Sequence, residues 1–534
     1  MAELEDRAGS LGGGGQSGGD NAENTGRNSA RTGAGARTSA ENANANRSEG
    51  GLKVEMAGTD VIGEAERKGK PSSLFWPWFA ANISVLGISY GAWVLDFGIS
   101  FGQAAVAGLV GIVLSFFLCG VVALAGKRGG APTMVLARAA LGVIGNRLAA
   151  VLSWILTVGW ETVLTALAVM ATATIMEKLG AGSGPGIKLV ALAAVAVLIV
   201  GGGVIGFDLI MKMQTVITVV TGGLTIGYFI LTFKSIDLQA VAAMPSGSAQ
   251  AFVGALVFMV TGFGLGWVNM AADYSRYLPR RASSAGVIWW TTFGAAIAPL
   301  MLLGFGLLLA GSDARLRAGI SRDPIGELTT ILPTWYLVPF GLVAILGLVG
   351  GAVLDIYSSG LALISAGIPI PRPVAAGIDG VIMILGTVYI VFGQSAFFDI
   401  FKQFLITLGV PIAAWAGIML ADVLLRRQPY AEPDLFDPKG RYGAAPPTPM
   451  AIMVLGTAVG WGFVVNGFNE AWFLDWLGYL MGAVGGRDGA WAAANLGVLL
   501  ALAIGFLGTL LLTRRRVQAQ EALAPLPPSP EAPL

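Results

Sequence analysis

Histidine is absent from all 534 residues, cysteine occurs once, and only 12 % of the residues are charged. Each shortage excludes something. Without histidine there is no Ser-His-Asp triad, no imidazole base and no histidine-ligated metal site. The lone Cys119 lies inside an apolar run, so there is no disulfide framework. A soluble globular domain carries roughly 25 % charged residues. A chain this long with so few charges cannot cover itself with polar surface in water. The formal net charge of +1 lacks the basic excess that neutralises phosphates, so no nucleic-acid partner is expected.

What fills the sequence instead is apolar. Hydrophobic residues make up 55 % of the chain. They fall in runs of about twenty, enough to cross a hydrocarbon core of roughly 30 Å as a helix. Barrel strands would read as alternating segments of about ten residues, and these runs do not. The sequence predicts an all-α polytopic membrane protein with about twelve transmembrane helices. The spans fall near 75–98, 102–125, 147–177, 187–206, 209–233, 249–272, 285–311, 336–366, 374–393, 397–425, 450–467 and 490–513. An amphipathic stretch from Asp323 to Leu332 is expected along the surface. Residues 1–70 are rich in Gly, Asn, Ala, Ser and Arg, and 514–534 in Pro, Ala and Glu. Both read as disordered tails. Between them the expected order is a ten-helix core to residue 425, a loop over 426–449, and two further helices over 450–513.

Loop charge orients the chain. One set of loops carries Lys127, Arg128, Arg138 and Arg147, then Arg276, Arg280 and Arg281, then Arg372, then Arg426, Arg427, Lys439 and Arg441. Arg514, Arg515 and Arg516 follow the last span on that same side. The alternate loops carry far fewer basic residues. By the positive-inside rule both termini are cytoplasmic, and the setting is the cell membrane.

Two spans depart from plain apolar helices. The first, FWPWFAANISVLGISYGAWVLDFG, holds Pro77, Asn82, Ser84, Gly87, Ser89 and Gly91. The sixth, VTGFGLGWVNMAADYSRYLP, holds Gly262, Gly264, Gly266, Trp267 and Asn269. Small and polar residues at that depth weaken a helix and free backbone carbonyls, which is tolerated only against protein or a wet cavity. Interrupted segments at matching places in two five-helix repeats point to a transporter with its site at the midplane.

Several blocks together carry a resemblance. They are FWPWFAANISVLGISYG at 75–91, GKRGGAPTMVLARAALGVIGN at 126–146, VGWETV at 158–163, GWVNMAADYSRYLP at 266–279, DIYSSGLAL at 355–363 and FLITLGVPIAAWAGIMLAD at 404–422. In order and spacing the chain resembles the nucleobase:cation symporter-1 family, in its purine–cytosine permease branch. The resemblance implies a LeuT-like fold of five plus five inverted repeats with two additional C-terminal helices. It implies cation-coupled import of a nucleobase or related heterocycle such as cytosine or a purine, by alternating access. A symporter for another small solute, such as allantoin, a hydantoin or a vitamin precursor, is the alternative. A membrane receptor or sensor would need a signalling domain that neither tail supplies. No enzyme is expected, and no cofactor beyond a coupling ion, Na+ or H+.

The same resemblance implies that Trp160 and Trp267 hold a planar ring between them. Base–aromatic stacking is worth roughly 1–3 kcal/mol per base. Asn82 and Asn269 are further candidate ligands from the two interrupted spans. Glu161, an ionisable group near the middle of the third span, is a functional candidate by default. It is expected to accept N–H donors from the heterocycle or to carry a coupling proton. Two family positions are apolar here. A polar amide one turn after the tryptophan is Leu164, and asparagines ahead of the tyrosine motif are replaced in Gly350–Leu354. For sodium the resemblance implies first-span carbonyls around Ser84, Gly87 and Ile88 facing Asp355, Ser358 or Ser359. Lys212, at the inner end of the fifth span, could supply a positive charge where sodium would sit, but is read as snorkelling to the interface.

Overall fold

The computed structural model describes residues 54–56, 58–393, 397–467 and 473–523, side chains at 397–402 excepted. The expected tails at 1–53 and 524–534 lie outside the described residues. Among the described residues all regular structure is helical, and nine helices are long and apolar enough to cross a membrane. Counting each of two bent pairs as one span brings the total to eleven. Among the described residues the expected twelfth is not counted, because Pro447–Gly462 has only 16 residues. That is less than the roughly 20 a hydrocarbon core needs.

The spans follow the order read from the runs. The second is Phe101–Gly129, the third Asn146–Lys178, the fourth Pro185–Ile205 and the fifth Phe207–Thr232. The seventh is Ser284–Ser312, the eighth Leu337–Ser365, the ninth Arg372–Gly393 and the tenth Phe397–Leu425. The last long helix is Gly497–Leu512, not the stretch from 490, because a 3-10 turn and Asn495 in left-handed backbone (φ 48°) precede it. The amphipathic surface helix is Ala314–Arg322, with Leu316 and Ile320 buried, rather than 323–332.

Both interrupted spans are broken. Phe75–Asn82 ends at Ile83 (φ −85°, ψ 69°), and Leu86–Leu95 restarts at an angle of 65°. In the sixth span Ala249–Gly262 ends at Phe263 (φ −112°, ψ −110°). Gly264–Trp267, a 3-10 turn and Ala271–Ser275 follow. The second span packs on the seventh, the third on the eighth and the fourth on the ninth. These three spans each meet the one five places later, as in two five-helix repeats. Glycine permits one close crossing in particular. A Cβ on Gly306 would lie 2.1 Å from the carbonyl oxygen of Ile88, so the first and seventh spans touch backbone to backbone.

Described structure extends beyond the expected tail boundaries on both sides. Gly58, Ile62 and Arg67 are buried against the bundle. Arg514–Ala522 is a helix burying Val517 and Gln520. Gln520 accepts from Arg426, which also grips Asp422 at 2.6 and 2.9 Å. Nearby, Arg138 donates to the carbonyls of Leu435 and Ser365. Burial and the neighbouring Arg147 push its guanidinium down to about 10.

Candidate substrate and cation sites

The break in the sixth span brings the two tryptophans to one level. A Cβ on Gly266 would lie 3.4 Å from Trp160 Nε1, so the third-span indole lies against the residue that precedes Trp267. Both indoles are half-buried. A small cavity lies alongside, between the third, sixth and tenth spans, lined by Leu156, Thr261, Leu265, Gly266, Leu405 and Gly409.

Trp267 meets Trp78 of the first span edge-on at 5.8 Å, and Trp78 meets Tyr274 edge-on at 5.6 Å. Tyr274 lies 6.3 Å from Tyr357, whose hydroxyl is 3.0 Å from that of Tyr277. A series of rings therefore runs from the tryptophans to the basic side of the bundle.

The other expected ligands go elsewhere. The Asn82 amide donates to the Trp78 carbonyl at 2.9 Å, within its own half-helix. Asn269 donates to Ser153 Oγ at 2.7 Å, and its buried Oδ1 has no partner. Ser153 lies seven residues before Trp160, about 10 Å along the helix. Glu161 points away from Gly266, towards Asp379 of the ninth span and Ser359 and Asp355 of the eighth. It is fully buried and neither carboxylate oxygen is hydrogen-bonded. Asp379 is satisfied by Trp154 and Ser359, at 2.8 and 2.7 Å. The two apolar departures prove to be one packing event. Leu164 fills the space over Gly351, where a Cβ would come within 2.9 Å of its Cδ1.

The expected cation set does not assemble. Past the break, Gly87 packs on Leu302 and Ile88 on Gly306, both of the seventh span. The eighth span meets the break at Gly347, whose Cβ would lie 2.7 Å from the Ile83 carbonyl and 3.0 Å from Ser84 Cα. Asp355 lies eight residues further on, about 12 Å of helix. Ser358 shares a hydrogen bond with the Tyr274 hydroxyl at 3.1 Å, and Ser359 is engaged with Asp379. Register along a helix told which face these groups share, and not the depth at which another span crosses it. Lys212 is exposed.

Glu55, which the composition placed in a tail, is instead a hub on the basic side. Its carboxylate accepts from the Tyr277 hydroxyl and the Phe207 amide, each at 2.8 Å, and from the Tyr357 hydroxyl at 3.2 Å. Arg276 stands 3.5 Å away and donates to the Gly58 carbonyl. Burial alone would push the Arg276 guanidinium down, but the oxygens of Tyr277, Tyr357 and Glu55 more than offset it and raise it. The clue was local: one glutamate in an otherwise neutral VEMAG stretch.

Residues 61–492 match the family described as permease for cytosine/purines, uracil, thiamine, allantoin. The chain belongs to that family. It is a membrane transporter and not an enzyme. Among curated relatives it is 26 % identical to a putative purine-cytosine permease, YxlA, of Bacillus subtilis, over 82 % of this chain and 93 % of that one. It is 24 % identical to the purine-cytosine permease FCY2 of Saccharomyces cerevisiae, over 86 % and 87 %. Its fold is that of Mhp1, a nucleobase-cation-symport-1 family transporter solved closed with bromovinylhydantoin bound. The TM-score is 0.64 at 19 % identity, covering 88 % of this chain and 99 % of that one. The LeuT-like architecture implied by the resemblance is therefore present.

Proposed function

We propose that this permease imports a planar nucleobase-like heterocycle across the cell membrane in symport with a cation, with the basic side cytoplasmic. The observation that carries the reading is the placement of Trp160 against Gly266, beside Trp267, at the break of the sixth span. Two half-buried indoles at one level offer a flat ligand a stacking face. Purine–cytosine permeases among the relatives support a nucleobase. Leu164 packed over Gly351 supplies no polar edge. That favours a ligand held chiefly by its faces, and it keeps a hydantoin-like ring as a second reading. Glu161, facing Asp355 and Asp379 rather than the tryptophans, is assigned to coupling and not to the ligand.

Thermal-shift binding of the purified protein against cytosine, adenine, guanine, hypoxanthine, uracil, allantoin and hydantoins tests this, with Trp160→Ala alongside. A ligand that binds only the folded state raises the melting temperature. The reading requires one ring compound to stabilise the wild type and not the variant. A ligand that stabilises both equally removes Trp160 from the site.

A further inference from the structure

The carbonyls freed by the first-span break face an eighth-span surface with no hydroxyl or carboxylate. Gly347, Leu348, Val349, Gly350 and Gly351 are the eighth-span residues at that level, and none has a hydroxyl or carboxylate. A Cβ on Gly350 would lie 3.0 Å from the Ala80 carbonyl oxygen. The third wall is the fifth span, and it contributes Gln214. That side chain is fully buried, donates from Nε2 to the Gly350 carbonyl at 2.7 Å, and holds Oε1 without a partner. Oε1 lies 3.4 Å from the position of a Gly350 Cβ, beside the same carbonyls. The amide orientation is dictated, because turning it over would set Oε1 against the Gly350 oxygen. A carbonyl-rich junction is thus served by an N–H donor, the role a bound cation plays where oxygen ligands surround it. Lys212, two residues before it, is exposed and does not reach in.

We propose that the Gln214 carboxamide stands where a LeuT-like symporter would hold sodium, so that this permease works without sodium. The assignment concerns the first–fifth–eighth span junction, and only its transport arm rests on the function proposed above. Its physical basis is donor count. Sodium, a hard cation, needs several oxygens at once, and here the eighth-span side is glycine while Gln214 offers one free oxygen on an amide whose N–H is already engaged.

Two measurements decide it. The first is the melting temperature of the purified protein in sodium chloride and in choline chloride at equal ionic strength, for the wild type and Gln214→Glu. The wild type is expected to differ by less than about 1 °C. Gln214→Glu, which puts an anionic oxygen among the carbonyls, is expected to gain a saturable sodium-specific rise of a few degrees, roughly 2–4 °C. A saturable sodium shift in the wild type overturns the proposal. So does a Gln214→Glu protein that melts cooperatively in choline and ignores sodium, since the amide is then not at the cation's place. The second is uptake of a heterocycle into proteoliposomes at constant pH with sodium replaced by choline. Uptake unchanged within about twofold supports the proposal, and a tenfold loss overturns it. If no heterocycle is taken up, the proposed function fails while the melting data still decide the sodium question.

Discussion

Replacing Glu55 with alanine should loosen one defined segment by an amount that the hydrogen bonds set. The carboxylate accepts from two tyrosine hydroxyls and the Phe207 amide, with Arg276 at its edge. Bonds to a charged acceptor contribute roughly 1.5–3 kcal/mol each when their partners are left dry. The Glu55 side chain is 18 % exposed. Water therefore re-solvates part of what the substitution uncovers, and the three bonds should sum to about 2 kcal/mol rather than their gross total. At about 1.4 kcal/mol per tenfold, local opening of residues 54–62 becomes roughly 30-fold more frequent. Amide hydrogen exchange reads this directly, because locally opened amides exchange in proportion to the open population. Peptides covering 54–62 and Phe207 should exchange about 30-fold faster in Glu55→Ala, while peptides from the second and tenth spans stay unchanged. Equal exchange in the two proteins would refute the reasoning. It would mean that Arg372, which donates to the Glu55 carbonyl at 3.1 Å, holds the segment through its backbone alone.

Other outcomes follow from the same physics. Trp160→Ala should weaken heterocycle binding by about 10-fold or more, read by titration, since one stacking face is worth roughly 1–3 kcal/mol. Gly306→Ala should lower the melting temperature at a cost of at least about 1–3 kcal/mol, because its Cβ meets the Ile88 backbone and not a movable side chain. Asp422→Ala should cost about 3–5 kcal/mol by stranding the buried Arg426. The double change Asp422→Leu with Arg426→Leu should recover most of that loss in the same melting assay.

The broken spans were legible because their cause is compositional. Glycine, proline and asparagine crowd 75–91 and 262–269, and a helix weakened there breaks there. The tryptophan pair came from the family resemblance, and the structure sets Trp160 against Gly266, the residue before Trp267. Glu161 was found as a buried ionisable group, but not its direction. A helix turns 100° per residue, so the neighbour of Trp160 faces a different pair of spans. Gln214 carried no signal, being one amide on an otherwise apolar helix whose meaning depends on which carbonyls cross it. Glu55 was hidden by its surroundings, because a polar stretch reads as a tail until its partners, more than 150 residues away, are brought alongside.

The ring series from Trp267 through Trp78, Tyr274 and Tyr357 ends at the hydroxyls that hold Glu55. Each ring is in van der Waals reach of the next, and Trp78 and Tyr357 are fully buried. The members are neighbours in series, with the half-buried Trp267 at one end. A turn of the Trp267 indole would press first on Trp78, and the rings beyond it lead to the residue-55 segment, joining the middle of the bundle to its basic side through aromatic contacts.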